Sequence, residues 1–193
     1  SIPAKNMAEF VAYAKANPGK LNYASSGNGS MLQLNMELLK SEYGIFMTHI
    51  PYLAFPNATT DLITGQVHAM FTNIQASNVG FVKQGRLRAL AVASPTRSPL
   101  LPDVPTFAEL QRPVLNATSW TGLAAPAGTP EPIITQLYDA VRTVLQDPQT
   151  ADAWQKRGVL VPEAMPPAAY KKDIADRIAF YTKIVKANNI KAE

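Results

Sequence analysis

The sequence has no cysteine and only two histidines among 193 residues. The first absence excludes disulfides, thiolate metal sites and a cysteine nucleophile. The second leaves little for a metal centre. His49 and His68 have no third histidine or paired carboxylate beside them, so neither a metal nor a cofactor is expected. Charge is also scarce. Charged residues are 17% of the chain, against a usual share of about 25%. The 18 basic and 14 acidic residues leave a net charge of +4. That balance is mild and scattered, whereas a nucleic-acid binder carries a clustered basic stripe, so no nucleic-acid partner is expected. No run approaches the roughly 18 apolar residues of a membrane span. The opening residues Ser1 to Asn6 lack the basic start and apolar run of a signal peptide.

What is present is an ordinary globular composition with a proline excess. Hydrophobic residues are 47% of the chain. A length of 193 residues predicts one domain, or one and a part, at about 150 residues per domain. Half of the 16 prolines lie between Pro95 and Pro132, which marks a connector rather than a packed element.

Helical and extended patterns alternate before that connector. Asn6 to Ala16 reads as a helix, with Asn6 as N-cap, Glu9 completing a capping box, and Met7, Phe10, Val11 and Ala14 on one face. Leu21 to Ala24 reads as a strand. It runs into the polar loop Ser25-Ser26-Gly27-Asn28-Gly29-Ser30 and then a helix from Met31 to Glu42, with Met31, Leu34, Leu38 and Leu39 inward and Gly44 as its stop. Further strands are expected at Ile45–Ile50, Val67–Thr72 and Leu87–Ala93, the last as a near-continuous apolar run suited to burial on both faces. Helices are expected at Asn57–Thr64, capped by Asn57, and at Ala76–Lys83. Single helices between strands predict βαβ units and a parallel sheet.

Within the connector, Thr106 and Glu109 form a T-x-x-E capping box that predicts a short helix. A strand is expected at Ala117–Ala124. Beyond it the pattern is mostly helical: Pro130–Leu145, Pro148–Arg157 stopped by Gly158, a short strand Val159–Val161, and a long helix over Pro167–Asn188. The inner stripe of that helix is Tyr170, Ile174, Ile178, Tyr181 and Val185. By spacing, Phe180 and Tyr181 cannot both face inward.

The loop Ser25–Ser30 carries the most chemistry. It follows a strand and opens a helix, whose first N–H groups and dipole favour an anion. Its glycines let a ligand approach the backbone, and Ser25, Ser26, Asn28 and Ser30 add donors. It is neither G-x-x-x-x-G-K-[ST] nor G-x-G-x-x-G, so a nucleotide is not indicated. The plain alternative is a strand-to-helix turn with a serine cap. His49 and Tyr52 end the next strand, and Thr72 and Asn73 end another. In open α/β sheets ligands bind at such carboxyl ends, so these residues could share one rim with the loop. The alternatives are a hydrogen-bonded structural His49 and an Asn73 that caps a helix. Ser25 or Ser26 with His49 and Asp61 could be written as a hydrolase triad, but the G-x-S-x-G elbow is absent.

Taken together, several segments resemble one family. They are Tyr23-Ala24-Ser25-Ser26-Gly27-Asn28-Gly29-Ser30, Met47-Thr48-His49-Ile50-Pro51-Tyr52, Thr60 to Val67, Gly85 to Val92, Ser98 to Thr106 and Ser119 to Pro130. The chain is similar throughout to the Bug-type solute-binding receptors of tripartite tricarboxylate transporters. The resemblance implies an α/β protein of the type II periplasmic-binding-protein fold, in the periplasm, that is not an enzyme. Such receptors close on a small organic carboxylate and deliver it to membrane subunits of the transporter. It implies a ligand cradle built from Ser25, Ser26, Gly27, Asn28, Gly29 and Ser30, and His49, Tyr52, Thr72 and Asn73 are then expected to line its rim.

Two departures shape the expectation. The family normally carries an N-terminal segment ahead of the position matching Ser1, which supplies a second ligand loop. Residues 1–115 are then expected to be one nearly complete ligand-binding lobe, 116–130 the hinge or crossover, and 131–193 the helical C-terminal part of the other lobe. Weak or absent binding by this chain alone follows, and the orphaned helices could pair with a second copy. The family's usual Lys-Gly after Pro-Tyr is Leu53-Ala54 here, and its Asp before the rim Asn is Thr72. That disfavours amino-acid ligands and favours a more apolar carboxylate. The alternative from another class is the effector-sensing domain of a LysR-like transcription regulator, which shares this architecture.

Overall fold

The structure, a computed structural model, describes residues 2–116, 122–156, 161 and 163–190. Its centre is a three-stranded parallel sheet of order β2-β1-β3. The strands are β1 (Asn22–Ser25), β2 (Thr48–Pro51) and β3 (Ala69–Met70). Parallel pairing needs crossover helices, and two supply it: α2 (Met31–Tyr43) and α3 (Phe55–Thr64). Ahead of the sheet lies α1 (Met7–Ala16), and α4 (Ala76–Lys83) follows β3.

Local chemistry sets most of these ends. Asn6 Oδ1 accepts the Glu9 N–H at 2.9 Å, and the Asn6 amide donates to Glu9 Oε1 at 2.9 Å. Met7, Phe10 and Ala14 of α1 are buried, as their spacing requires. Gly44, at φ 60°, ends α2, and the Ile45 N–H turns back to the Lys40 carbonyl at 3.0 Å. That cap consumes the first residue expected in the second strand. Pairing therefore begins only where the Thr48 N–H reaches the Leu21 carbonyl. Helix α3 starts at Phe55, two residues before the expected cap Asn57, because Pro56 suits a first helical turn.

The sheet is covered on both faces. Tyr23 belongs to the main core with Phe10 of α1, Met36 and Leu39 of α2, Met47, Phe107 and Leu115. The next residue, Ala24, points the other way, onto Ala58 of α3 and Val67.

Among the described residues, the segment expected as a strand at Leu87–Ala93 pairs with no other strand. The segment makes one parallel bridge, between Val92 and Thr106, with the Val92 N–H on the Pro105 carbonyl and the Phe107 N–H on the Val92 carbonyl. An apolar run becomes a strand only where neighbouring backbone offers a ladder, and among the described residues that contact is one residue long. The Thr106–Glu109 capping box closes as predicted, with reciprocal bonds of 2.7 and 3.1 Å, but it organises turns rather than a helix. Of the strand expected at Ala117–Ala124, residues 117–121 lie outside the described residues and 122–124 are irregular. Gly158, Val159 and Leu160 also lie outside them, and Val161 is irregular.

Among the described residues, three helices follow: α5 (Glu131–Gln146), α6 (Pro148–Lys156) and α7 (Pro167–Ala187). In α5, Ile133, Leu137, Val141 and Val144 line up at helical spacing yet remain exposed. Helix α7 reaches back to α2. Ile184 is only 8% exposed within the main core, and the Tyr181 hydroxyl donates to Asn35 Oδ1 at 3.2 Å. This corrects the expected stripe. Ile178 is 62% exposed, and Phe180 and Tyr181 both pack against the core, edge to face at 5.1 Å. Because α7 packs along α2, with Tyr181 on Asn35, neighbours about 100° apart around the helix both reach cover.

Candidate functional site

Parallel strands bring their carboxyl ends to one edge. There β1 opens into the loop Ser25–Ser30, β2 ends before Tyr52, and β3 leads into Thr72 and Asn73. The Tyr52 N–H donates to the Ser25 carbonyl at 2.9 Å, tying the first two segments together. His68 stands at the opposite edge, with Nδ1 2.8 Å from Asn22 Oδ1 at the start of β1.

The loop is a turn that only glycine accommodates. Gly27 has φ 118° and Gly29 φ 74°, both in the left-handed half of backbone space. A Cβ on Gly27 would meet no atom within 4 Å, so the loop's outer face is open. Ser30 caps α2 by accepting the Gln33 N–H at 3.3 Å. The earlier N–H groups, on Met31 and Leu32, belong to the first turn, where a helix leaves its N–H groups without intrahelical partners and its dipole favours an anion.

Ser25 and Ser26 part company. Ser26 is exposed, whereas Ser25 is fully buried. The Ser25 Oγ lies 3.0 Å from the Gly27 carbonyl, 3.2 Å from the Gly27 N–H and 2.6 Å from His49 Nε2. His49 therefore leaves β2 toward the loop, and its ring stacks on Tyr23 at 4.9 Å. Burial holds the His49 pKa below the ordinary histidine value, with Glu37 opposing and Lys40 reinforcing that direction.

Two further groups stand behind the loop. Gln33 lies between Gly29 and His49, 2.7 Å from the Gly29 N and 3.1 Å from His49 Nδ1. Glu37, one turn on, accepts from the Tyr23 hydroxyl and pairs with Lys40 at 2.7 Å. Burial, then the Glu37 hydrogen bond and charge, push the Tyr23 phenol above its usual range. Gln33 and Glu37 fall on the buried side of α2 among leucines and methionines. A reading that seeks apolar faces passes over them. Their spacing of four was the available signal.

The remaining predicted residues divide. Tyr52 is tied to Asp61, its hydroxyl donating to Oδ2 at 2.7 Å. Asp61 is thus engaged with Tyr52, and His49 is oriented by Gln33 and Ser25, so the triad Ser25–His49–Asp61 is not assembled. Thr72 Oγ1 accepts from Asn78 at 3.0 Å. Asn73 is exposed and is not the cap of α4, a place taken by Gln75. Leu53, just past Tyr52, is fully exposed. Among the described residues no cluster of three metal-ligating side chains occurs, and no helix is long and apolar enough to cross a membrane.

Comparison with known proteins gives this geometry a context. The sequence profile described as "Tripartite tricarboxylate transporter family receptor" matches residues 1–190. A Cupriavidus necator protein, the "UPF0065 protein in gbd 5'region", is 38% identical over 154 residues, covering 80% of this chain and 46% of that protein. Protein BugT of Bordetella pertussis is 34% identical over 182 residues, covering 94% of this chain and 55% of its own length. Among solved structures, R. palustris Rpa4515 with adipate superposes with a TM-score of 0.83 at 32% identity, covering 98% of this chain and 63% of that one. MatC from Rhodopseudomonas palustris with bound malate gives 0.79 at 32% identity, covering 96% and 63%. The chain thus spans about half the length of the curated relatives it matches. With sheet, loop and profile in agreement, the chain belongs to the receptor family of the tripartite tricarboxylate transporters and carries its α/β, periplasmic-binding-protein fold.

Proposed function

We propose that this chain is the ligand-binding part of a periplasmic receptor that takes a small organic carboxylate for the membrane subunits of a tripartite tricarboxylate transporter. The carrying observation is the open loop Ser25–Ser30 at the start of α2, on the sheet edge shared with Tyr52, Thr72 and Asn73. Relatives that superpose on this chain hold adipate and malate. The cradle offers an oxyanion N–H groups and a helix dipole rather than a cation. Leu53 and Ala54 at the next strand end add apolar surface, so the ligand is a carboxylate with an apolar portion.

In this reading residues 1–115 form the ligand-binding lobe, 116–130 the crossover, and 131–193 a share of a second lobe. Closure in a two-lobed receptor is stabilised by contacts from both sides. One loop alone then binds weakly. Amide spectra of the labelled 193-residue chain, titrated with adipate, malate and hexanoate, test both parts. Shifts centred on residues 26–32, with smaller ones at the rim residues 52, 53, 72 and 73, are expected at millimolar ligand, largest for hexanoate. Absence of shifts in the loop would overturn the assignment, and micromolar affinity would overturn the weak-binding part.

A further inference from the structure

Three contacts fix a proton position that no single distance reveals. Gln33 is 7% exposed at the third position of α2. The Gly29 N–H donates to its Oε1 at 2.7 Å. A backbone N–H only donates, so the amide orientation is set, with the NH2 group turned to His49. That group lies 3.1 Å from His49 Nδ1, and it too only donates. Nδ1 must therefore accept. A neutral imidazole carries one proton, which then sits on Nε2, 2.6 Å from Ser25 Oγ. Ser25 accepts it and turns its own proton to the Gly27 carbonyl at 3.0 Å.

We infer that Gln33 is the positioning residue of the ligand loop, holding His49 as its neutral Nε2–H tautomer and, through it, locking the Ser25 hydroxyl inward. The direction of the relay matters. His49 Nε2 has no lone pair for the serine proton, so the pair does not generate a nucleophile. Nor does Ser25 donate outward, so its hydroxyl proton is not offered to an anion in the loop. The groups that act on the ring from its surroundings are Tyr23 of β1, stacked on it, and Glu37 and Lys40 of α2, which are paired with each other. None replaces Gln33 as a partner of Nδ1. The inference rests on the carboxylate-receptor reading only for the word ligand; the tautomer is measured without any ligand.

The test is the imidazole nitrogen spectrum of the 15N-labelled 193-residue chain, with His49 assigned by the His68→Gln variant. Expected at neutral pH is a pyrrole-like Nε2 and a pyridine-like Nδ1 for His49. In Gln33→Glu, the carboxylate still accepts from Gly29 but now accepts from Nδ1 as well. Nδ1 should become protonated, and the His49 protonation constant should rise at least about tenfold, as an opposite charge at hydrogen-bonding distance brings. In Gln33→Met, which removes both bonds at similar volume, the two tautomers should mix. A wild-type Nδ1–H tautomer, or a folded Gln33→Glu chain with unchanged His49 signals, would overturn the inference. If neither variant folds, the wild-type tautomer alone decides it. Loss of the carboxylate-induced amide shifts with the expected tautomer retained would overturn the receptor assignment instead.

Discussion

The hydroxyl of Tyr52 donates to the carboxylate of Asp61 across 2.7 Å, joining the end of β2 to the middle of α3. That bond, followed by burial and the Asp61 charge, pushes the Tyr52 pKa up to about 12. A raised acid pKa stabilises the fold below the unfolded value of about 10 and is lost as pH climbs from there toward the folded value. Tyr52→Phe should therefore flatten the alkaline loss of stability in that window. It should cost about 1 kcal/mol at neutral pH, the usual net value of such a bond. It should also free the Asp61 carboxylate at the rim and weaken the carboxylate-induced amide shifts. Urea denaturation at a series of pH values, with the ligand titration, reads all three.

His49 makes the opposite test in acid. Its folded pKa is held below the ordinary value of about 6.5, chiefly by burial. The unfolded chain then binds a proton that the folded one refuses, so stability is complete above that value and falls as pH drops below it. Burial lowers His68 in the same direction. Two chains therefore need comparing, His68→Asn and the double variant with His49→Asn. The double variant should show a shallower loss between pH 6.5 and the folded value. Identical acid limbs would mean that His49 is not held neutral.

How much of this was legible in the sequence depends on how local each determinant is. The Asn6 cap, the Gly44 stop, the Ser25–Ser30 turn and the strand end before Tyr52 were readable because each is decided within a few residues. Leu87–Ala93 shows why a strand is a property of its neighbour: among the described residues, Val92 finds only Thr106 alongside. Asn57 was misread because Pro56 opens the helix earlier. Gln33 and Glu37 were missed because their partners, His49 and Tyr23, lie 14 to 16 residues away on adjacent strands. The stripe of α7 failed for the same reason, since its cover comes from α2.

That stripe supplies a direct comparison. Ile184 packs in the main core at 8% exposure, whereas Ile178, six residues earlier on the same helix, stands 62% exposed. Truncating a buried isoleucine costs about 2–5 kcal/mol. A substitution at an exposed site changes stability by less than about 0.5 kcal/mol. Ile184→Ala should therefore lower the urea midpoint strongly, and Ile178→Ala should leave it in place. Equal effects would mean that the C-terminal turn of α7 is not docked on α2 in solution.

The exposed face of α5 leads to the last expectation. Ile133, Leu137, Val141 and Val144 form one apolar row that no described residue buries. These side chains are 36–55% exposed, so covering what remains of each is worth about half of the roughly 1.5–3 kcal/mol of full burial, and a row of four is an incentive to associate. Pairing between copies through this row should appear in light scattering as a mass that rises with concentration. Leu137→Glu with Val141→Glu places two charges in its centre and should return the chain to monomer. Because α5 lies apart from the β1–α2 loop, the double variant should leave the Gly27 and Gly29 amide signals unchanged. A wild-type chain that stays monomeric across the concentration range would show that this face does not drive pairing.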